Sequence, residues 1–162
     1  MTNGYVVSVE RVTPRAIACV RARLRSSRIP AEFRVHLDQV YAAARDGDIQ
    51  LDGQNVFVYR GTGEPGVVDA EFGVGAKTPF VDVGNVVYSQ LPAGEVATAT
   101  HWGDYSKLGG AHAAVTEWCR ANNRQLEGTS WEIYGHMGPD AATARTDVYY
   151  LLVSNRQSPD QR

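Results

Sequence analysis

The feature of this sequence that most constrains its fold is an internal repeat. Patterns of apolar residues follow one another in the order strand, strand, helix, strand, strand, and the same order then recurs. Pro14 and Pro92 mark the same hairpin gap in the two copies, and the segments 57–59 and 132–134 lie in equivalent strands. The offsets between such positions are all about 75–78 residues. One register that holds nearly throughout predicts a duplicated unit.

The local patterns set the boundaries of the predicted elements. Alternation predicts strands and steps of three and four residues predict helices. The predicted strands are 5–11, 15–24, 55–60, 67–74, 85–91, 94–102, 130–137 and 146–153, and the predicted helices are 29–45 and 104–122. Gly109 and Gly110 inside the second helix suggest close packing against the sheet, because glycine costs a helix interior about 1 kcal/mol. The repeat alignment also places Asp69 and Asp147 at equivalent positions.

These elements predict an α+β fold of two β-β-α-β-β halves, about residues 5–75 and 85–153, related by pseudo-twofold symmetry. A cleft between such halves is the natural ligand site, since repeat interfaces leave concave surfaces. The length of 162 residues suits one domain over residues 1–153. Residues 154–162 are polar, and we expect a disordered tail there.

Composition narrows the classes of partner. The net charge is −2, which argues against a direct nucleic-acid surface because such a surface needs a basic stripe. The alternate arginines from Arg21 to Arg28 are typical of a solvated strand face. The sequence shows no signal-peptide core and no stretch of membrane-spanning length, so we expect a cytoplasmic protein without a membrane partner. A monomer or a weak homodimer is expected.

No cofactor or metal is predicted. Cys19 and Cys119 lie far apart within apolar patterns and are expected to be small buried hydrophobes. No zinc-type spacing, nucleophile elbow or Ser-His-Asp pattern occurs. The glycine-rich stretch 61–66 has no helix after it and is therefore interpreted as a hairpin turn rather than a phosphate loop.

The second half carries a recognisable pattern. The runs LPAGEVATATHWGDYSKL, VTEWCRANN, SWEIY and TDVYYLLV resemble the GyrI-like, or effector-binding, family of small-molecule-binding domains. The first half is similar more loosely, through VDAEFGVG. The matching residues are Pro92, Ala93, Gly94, Gly103, Tyr105, Trp118, Glu132 and Tyr134.

The resemblance implies a drug-binding cleft with a buried glutamate. Family members fused to DNA-binding domains sense lipophilic cations, and some stand-alone relatives are similar to hydrolases that open cyclopropane rings. The resemblance therefore implies a stand-alone, multidrug-like binding protein for lipophilic, often cationic aromatic ligands. The alternative is a hydrolase of cyclopropanoid or electrophilic toxic molecules with Glu132 as general acid–base, helped by Tyr105 or Tyr134. A third possibility is a protein-interaction role such as gyrase inhibition, which the charge pattern does not specifically support.

Glu132 is the central candidate residue. It lies between Trp131 and Ile133, and alternation puts it on the same side of its strand as Ser130 and Tyr134. The pattern alone leaves open a solvated face or the cleft, and the resemblance favours the cleft. The other candidate ligand contacts are Tyr134, Trp102, Tyr105, Phe33, Phe57, Tyr59 and Tyr150.

Several of these candidates also have ordinary structural interpretations. Tyr149 and Tyr150 point to opposite sides of their strand, so only one of them can line the cleft. Phe33 fits the apolar stripe of its helix and is also a core candidate, as is Trp118. The four histidines, His36, His101, His112 and His136, are interpreted as surface or hydrogen-bonded residues rather than catalysts.

Overall fold

The computed structural model describes residues 4–135 and 144–154, which form eight strands and two α-helices. The strands are β1 (Ser8–Val12), β2 (Arg15–Arg25), β3 (Leu51–Gly61), β4 (Val67–Ala76), β5 (Val86–Leu91), β6 (Gly94–Trp102), β7 (Leu126–Tyr134) and β8 (Arg145–Leu152). The helices are α1 (Ile29–Arg45) and α2 (Gly109–Ala121), and a short 3₁₀ turn precedes each, at Ser26–Arg28 and Tyr105–Lys107. The last residues of the predicted strand 130–137, His136 and nearly all of the predicted tail lie outside the described residues.

All eight strands form one antiparallel sheet in the order β1-β6-β8-β7-β3-β4-β2-β5. The equivalent strands of the two halves are β1 and β5, β2 and β6, β3 and β7, and β4 and β8. When each strand is replaced by its equivalent, the same order results, read from the other end. The α+β fold and its pseudo-twofold topology are therefore confirmed. One arrangement was not predicted: the first strand of each half pairs with the second strand of the other half, β1 with β6 and β5 with β2.

The pseudo-twofold axis passes between β3 and β7, where the two halves join. In this pair Phe57 lies directly opposite Glu132, and Tyr59 lies opposite Ser130. Phe57 and Glu132 are also equivalent positions of the repeat. The two equivalent residues therefore face each other across the β3–β7 pair. The repeat therefore brings the candidate glutamate to the centre of the sheet.

The sheet registers correct two details of the sequence interpretation. Asp147 lies opposite Ile133, and the repeat equivalent of Ile133 is Val58, which lies opposite Glu71. Asp147 therefore corresponds to Glu71 and not to Asp69, a shift of two residues that keeps the same face of the strand.

The second correction concerns α2, which begins at Gly109 after the 3₁₀ turn instead of at residue 104. The two glycines thus start the helix and do not interrupt it. A Cβ at Gly110 would approach the ring of Tyr5 at 3.4 Å, whereas a Cβ at Gly109 would meet nothing within 4 Å. The close packing expected there is confined to Gly110 and involves the segment before β1.

Both helices cover the same face of the sheet. Phe57 packs in one cluster with Leu37 and Val40 of α1, and Val148 packs in another with Leu108 and Ala111. Both Phe57 and Val148 lie directly beside Glu132 in neighbouring strands, so their side chains point to the same side. The central glutamate therefore faces the space between the two helices.

The opposite face buries a second apolar cluster. Val56, Val58 and Trp131 are almost fully buried there, and Tyr149 stacks on Trp131 with ring centroids 5.6 Å apart. Cys19 belongs to this cluster, whereas Cys119 lies on α2 and packs against Ala97 and Ala99 of β6, and both cysteines are free and buried as predicted. Within residues 4–135 and 144–154, neither helix is long and apolar enough to cross a membrane.

Candidate ligand-binding cleft

A cavity of about 680 Å³ opens between α1, the turn before α2, and the central strands β3 and β7. Its apolar side comes from α1, through Ile29, Phe33 and Leu37, and from Phe57 on the sheet. Its polar side comes from the second half of the chain and from Tyr59, with Tyr105 at the entrance and Glu132 and Tyr134 on the sheet. The cavity is thus built across the pseudo-twofold axis, and its two sides differ in their chemistry.

Aromatic rings form a continuous lining. Phe57 contacts Phe33 at 5.5 Å and Tyr134 at 5.1 Å between ring centroids. Tyr134 contacts Tyr105 edge to face at 5.5 Å. Tilted and edge-to-face pairs at these distances are the favoured arrangements of aromatic side chains. The walls can therefore offer both ring faces and ring edges to a bound molecule.

Glu132 is buried at the floor of this cleft, with 5% of its surface exposed. Tyr59 donates a hydrogen bond of 2.9 Å to its Oε1, and Tyr134 donates one of 2.6 Å to the same oxygen. His112 of α2 lies 2.6 Å from Oε2 through its Nε2. A buried carboxylate needs such partners because the cost of removing a charge from water is high.

The tyrosines keep their protons and act as donors. Burial, reinforced by the negative charge of Glu132, raises the pKa of Tyr59 and of Tyr134 well above the ordinary value. The same two causes raise the pKa of Tyr150 to about 12. At neutral pH these phenols therefore present O–H groups to the carboxylate and to its histidine partner.

The histidine extends the network by one further step. His112 Nδ1 lies 2.7 Å from the hydroxyl of Tyr150. An ionised carboxylate only accepts hydrogen bonds. The His112 tautomer that fits beside it has its proton on Nε2 and donates a hydrogen bond to Glu132. In the neutral ring, Nδ1 then accepts from the Tyr150 hydroxyl. Tyr150, His112 and Glu132 form a chain of hydrogen bonds that all point toward the carboxylate.

This network does not use all the hydrogen-bond acceptor positions of Glu132. A carboxylate has about four acceptor positions, two on each oxygen. Among the described residues, Oε1 accepts from Tyr59 and Tyr134, and Oε2 accepts from His112. Toward these residues Oε2 therefore keeps one acceptor position for a further donor.

The repeat explains why, among the described residues, the acidic group of the cleft comes from the second half. The position of Glu132 is taken by Phe57 in the first half, and the histidine of α1 on that side is His36. His36 stacks on Phe72 with ring centroids 5.4 Å apart, so its surroundings are aromatic and not acidic. Divergence of the two halves has thus placed a phenyl ring at one of the two central positions and a carboxylate at the other.

Six of the eight residues proposed from the sequence line the cavity: Phe33, Phe57, Tyr59, Tyr105, Glu132 and Tyr134. Tyr150 is not among the described residues that line the cavity; it bonds to His112, which in turn bonds to Glu132. Tyr150 faces the helices, whereas Tyr149 faces the opposite side. Trp102 lies elsewhere, 59% exposed, with the Arg145 guanidinium 5.6 Å from its ring centroid.

Strand alternation accounts for the position of Trp102. Ala97 and Ala99 pack under α2, so His101 points to the helix side as well, and Trp102 points to the other face. His112, in contrast, was interpreted from the sequence only as a helical or hydrogen-bonded histidine. Its proximity to Glu132 depends on how α2 crosses the sheet, which no local pattern reports.

The remaining polar clusters differ from the cleft. On the other face, Glu71 is buried and accepts from Arg21 and Ser89, with Arg60 3.2 Å away. These cross-strand partners compensate the buried charge of Glu71 within the sheet. Among the residues that the structure describes, no group of three or more His, Cys, Asp or Glu side chains could hold a metal ion.

The GyrI-like small molecule binding domain family matches residues 6–152 of this chain. No curated protein matches the sequence. Among solved structures, the C-terminal domain of EcmrR superimposes with a TM-score of 0.74 at 20% identity, covering 93% of this chain and 99% of that one.

Two further solved structures share this fold. SAV2435 bound to tetraphenylphosphonium gives a TM-score of 0.69 at 9% identity over 97% of this chain and 99% of that one. A hydrolase from Listeria innocua gives 0.60 at 13% identity over 91% of each chain. At these identities the likeness establishes the fold.

Proposed function

We propose, on the premise that this chain belongs to the GyrI-like small-molecule-binding family, that its cleft binds lipophilic, often cationic aromatic molecules. The observation that carries the proposal is the carboxylate of Glu132, held by Tyr59, Tyr134 and His112 at the floor of an aromatic cavity. The ligand-bound SAV2435 structure supports it by showing that a related fold accommodates a lipophilic cation.

The dimensions and chemistry of the cleft suit such ligands. Pockets for drug-sized molecules measure about 300–1,000 Å³, and this cavity measures about 680 Å³. A cation over the face of an aromatic ring gains ~0.5–2 kcal/mol. The carboxylate adds attraction that strengthens as a ligand displaces water from the cleft. Fixed hydrogen bonds keep the charge in place before the ligand arrives, so little reorganisation is needed.

The test compares two ions of the same shape and opposite charge, tetraphenylphosphonium and tetraphenylborate. We expect the wild type to bind the phosphonium and to disfavour the borate. Glu132→Gln keeps the size of the side chain and removes its charge, so phosphonium affinity should fall by ~1–3 kcal/mol. Borate affinity should rise in the same variant. Isothermal titration calorimetry measures both.

Glu127→Gln is the matched control, because Glu127 is an exposed residue of the same strand β7. It removes one negative charge without touching the cleft and should leave both affinities within experimental error. Equal affinity of wild type and Glu132→Gln for the phosphonium would contradict the proposed role of Glu132. Failure of the wild type to bind the phosphonium would contradict the proposed ligand class.

A hydrolase is the second candidate, and one observation favours it. The chain from Tyr150 through His112 to Glu132 can take up a proton from a bound water, and a hydrolase from Listeria innocua shares the fold. In this scheme Glu132 accepts a proton from water, and the water oxygen bonds to a ring carbon of a conjugated cyclopropane. The electrons of the broken carbon–carbon bond move to the conjugated carbonyl, which takes a proton from Tyr105. The proton on Glu132 then passes through solvent to the Tyr105 phenolate, which restores both residues.

The two candidate functions give different results with the same variant. If the protein is a hydrolase, mass spectrometry after incubation with a cyclopropanoid electrophile shows a product larger by one water, and Glu132→Gln abolishes it while substrate binding persists. If the protein only binds, the electrophile is consumed no faster with the wild-type protein than in the buffer control.

A further inference from the structure

The cleft has a second charged residue at its entrance. Among the described residues that line the cavity, Arg34 and Glu132 are the two with a formal charge at neutral pH. Glu132 is buried, whereas Arg34 is exposed on α1. One charge therefore lies at the floor of the cavity and the opposite charge lies at its mouth.

The guanidinium of Arg34 lies over a ring of the cavity wall and pairs with no carboxylate of the described residues. Its central carbon lies 5.5 Å from the ring centroid of Phe33, a residue of the cavity wall. The neighbouring Arg28 on the preceding turn pairs with Glu32, but no carboxylate of the described chain lies within ion-pair distance of Arg34. A positive charge held over a wall ring repels a simple cation and attracts an anionic group at the mouth.

From this arrangement we infer that the preferred ligand is an aromatic zwitterion, whose cationic end contacts Glu132 and whose anionic group pairs with Arg34. The inference rests on the proposed function and specifies its ligand class. The apolar wall of Phe33, Leu37 and Phe57 lies beside Arg34 in the first half of the chain, so the aromatic body spans the distance between the two charges. Arg34 is then a specificity-determining residue of the cleft.

A matched pair of dyes isolates the anionic group. Rhodamine 6G is a lipophilic cation that carries an ethyl ester, and its free acid carries a carboxylate on the same aromatic body. Fluorescence anisotropy gives the dissociation constant of each dye with the wild type and with Arg34→Gln. Because an exposed ion pair contributes up to about 1 kcal/mol, the wild type should prefer the free acid by about three- to fivefold.

In Arg34→Gln the preference should disappear, because the free acid loses its partner and the ester loses a repulsion. Arg28→Gln removes the same charge from a neighbouring arginine that pairs with Glu32 and does not line the cavity. This control should keep the wild-type ratio. The preference should also weaken at high salt, since exposed charges are screened.

The outcomes separate this inference from the proposed function. If both dyes bind, Glu132→Gln weakens both, and the ratio is the same in wild type and Arg34→Gln, the cleft binds cations and the role of Arg34 is refuted. If neither dye binds the wild type, both the proposed function and this inference fail. A preference of the wild type for the ester would contradict the zwitterion directly.

Discussion

The hydroxyl of Tyr134 offers a quantitative test of the network around Glu132. Tyr134→Phe removes a buried hydrogen bond of 2.6 Å to a carboxylate while keeping the ring that packs against Phe57 and Tyr105. A hydrogen bond to a charged group contributes ~1.5–3 kcal/mol. The variant should therefore be less stable than the wild type by this amount at pH 7, as measured by urea unfolding followed by circular dichroism.

The pH dependence gives the sharper result. Burial and the charge of Glu132 raise the pKa of Tyr134 in the folded protein, whereas the unfolded phenol titrates near 10. The stabilisation by the protonated phenol is fully present below about pH 10 and is lost as the pH rises above it. At pH 11 ionisation of the unfolded phenol costs the wild type about 1.4 kcal/mol that the phenylalanine variant does not lose.

The difference in unfolding free energy between wild type and Tyr134→Phe should therefore shrink by about 1.4 kcal/mol between pH 7 and pH 11. Phe57→Leu is the control, because it perturbs the same cleft without a titrating group and its difference from wild type should stay constant. A difference for Tyr134→Phe that stays constant or widens toward pH 11 would refute the hydrogen bond to Glu132.

Three further predictions concern the scaffold. Trp131→Ala should cost about 3–5 kcal/mol in urea unfolding because Trp131 is fully buried, whereas Trp102→Ala should cost less than about 1 kcal/mol because Trp102 is 59% exposed; equal losses would contradict the assignment of faces. Gly73→Ala should destabilise by about 1–3 kcal/mol because its Cβ would lie 2.7 Å from a carbonyl oxygen of β2, and Gly61→Ala, with its nearest atom at 3.9 Å, should be tolerated to within about 1 kcal/mol of the wild type. The thiol of Cys19, whose pKa burial raises to about 12, should not react with a disulfide reagent at pH 8 until the protein is unfolded; rapid reaction of the native protein would show that the site is open.

The order of the elements and the face of Glu132 could be predicted because both follow from local periodicity. Alternation along β7 places Ser130, Glu132 and Tyr134 on one side, and the structure has them there. The exchange of β1 and β5 between the halves could not be predicted, because a strand pattern does not specify which strand it pairs with. The repeat alone is compatible with either pairing.

The partners of Glu132 show the same limit. His112 lies on a helix at a position that periodicity assigns only to the sheet-facing side, and its contact with Glu132 follows from the crossing of α2 over β8. The position of the Arg34 charge at the cleft mouth depends in the same way on how α1 packs over β2 and β4. Trp102, by comparison, could have been excluded from the cleft by alternation, because Ala97 and Ala99 are the residues of β6 that face the helix.

The binding site itself can be seen in a crystal structure of the protein with tetraphenylphosphonium. We expect the cation in the cavity between Phe33, Phe57 and Tyr134, with its charged centre on the side of Glu132. Density for the phosphonium on the opposite face of the sheet instead, in the groove beside Trp131 and Arg15, would show that the cleft is not the ligand site.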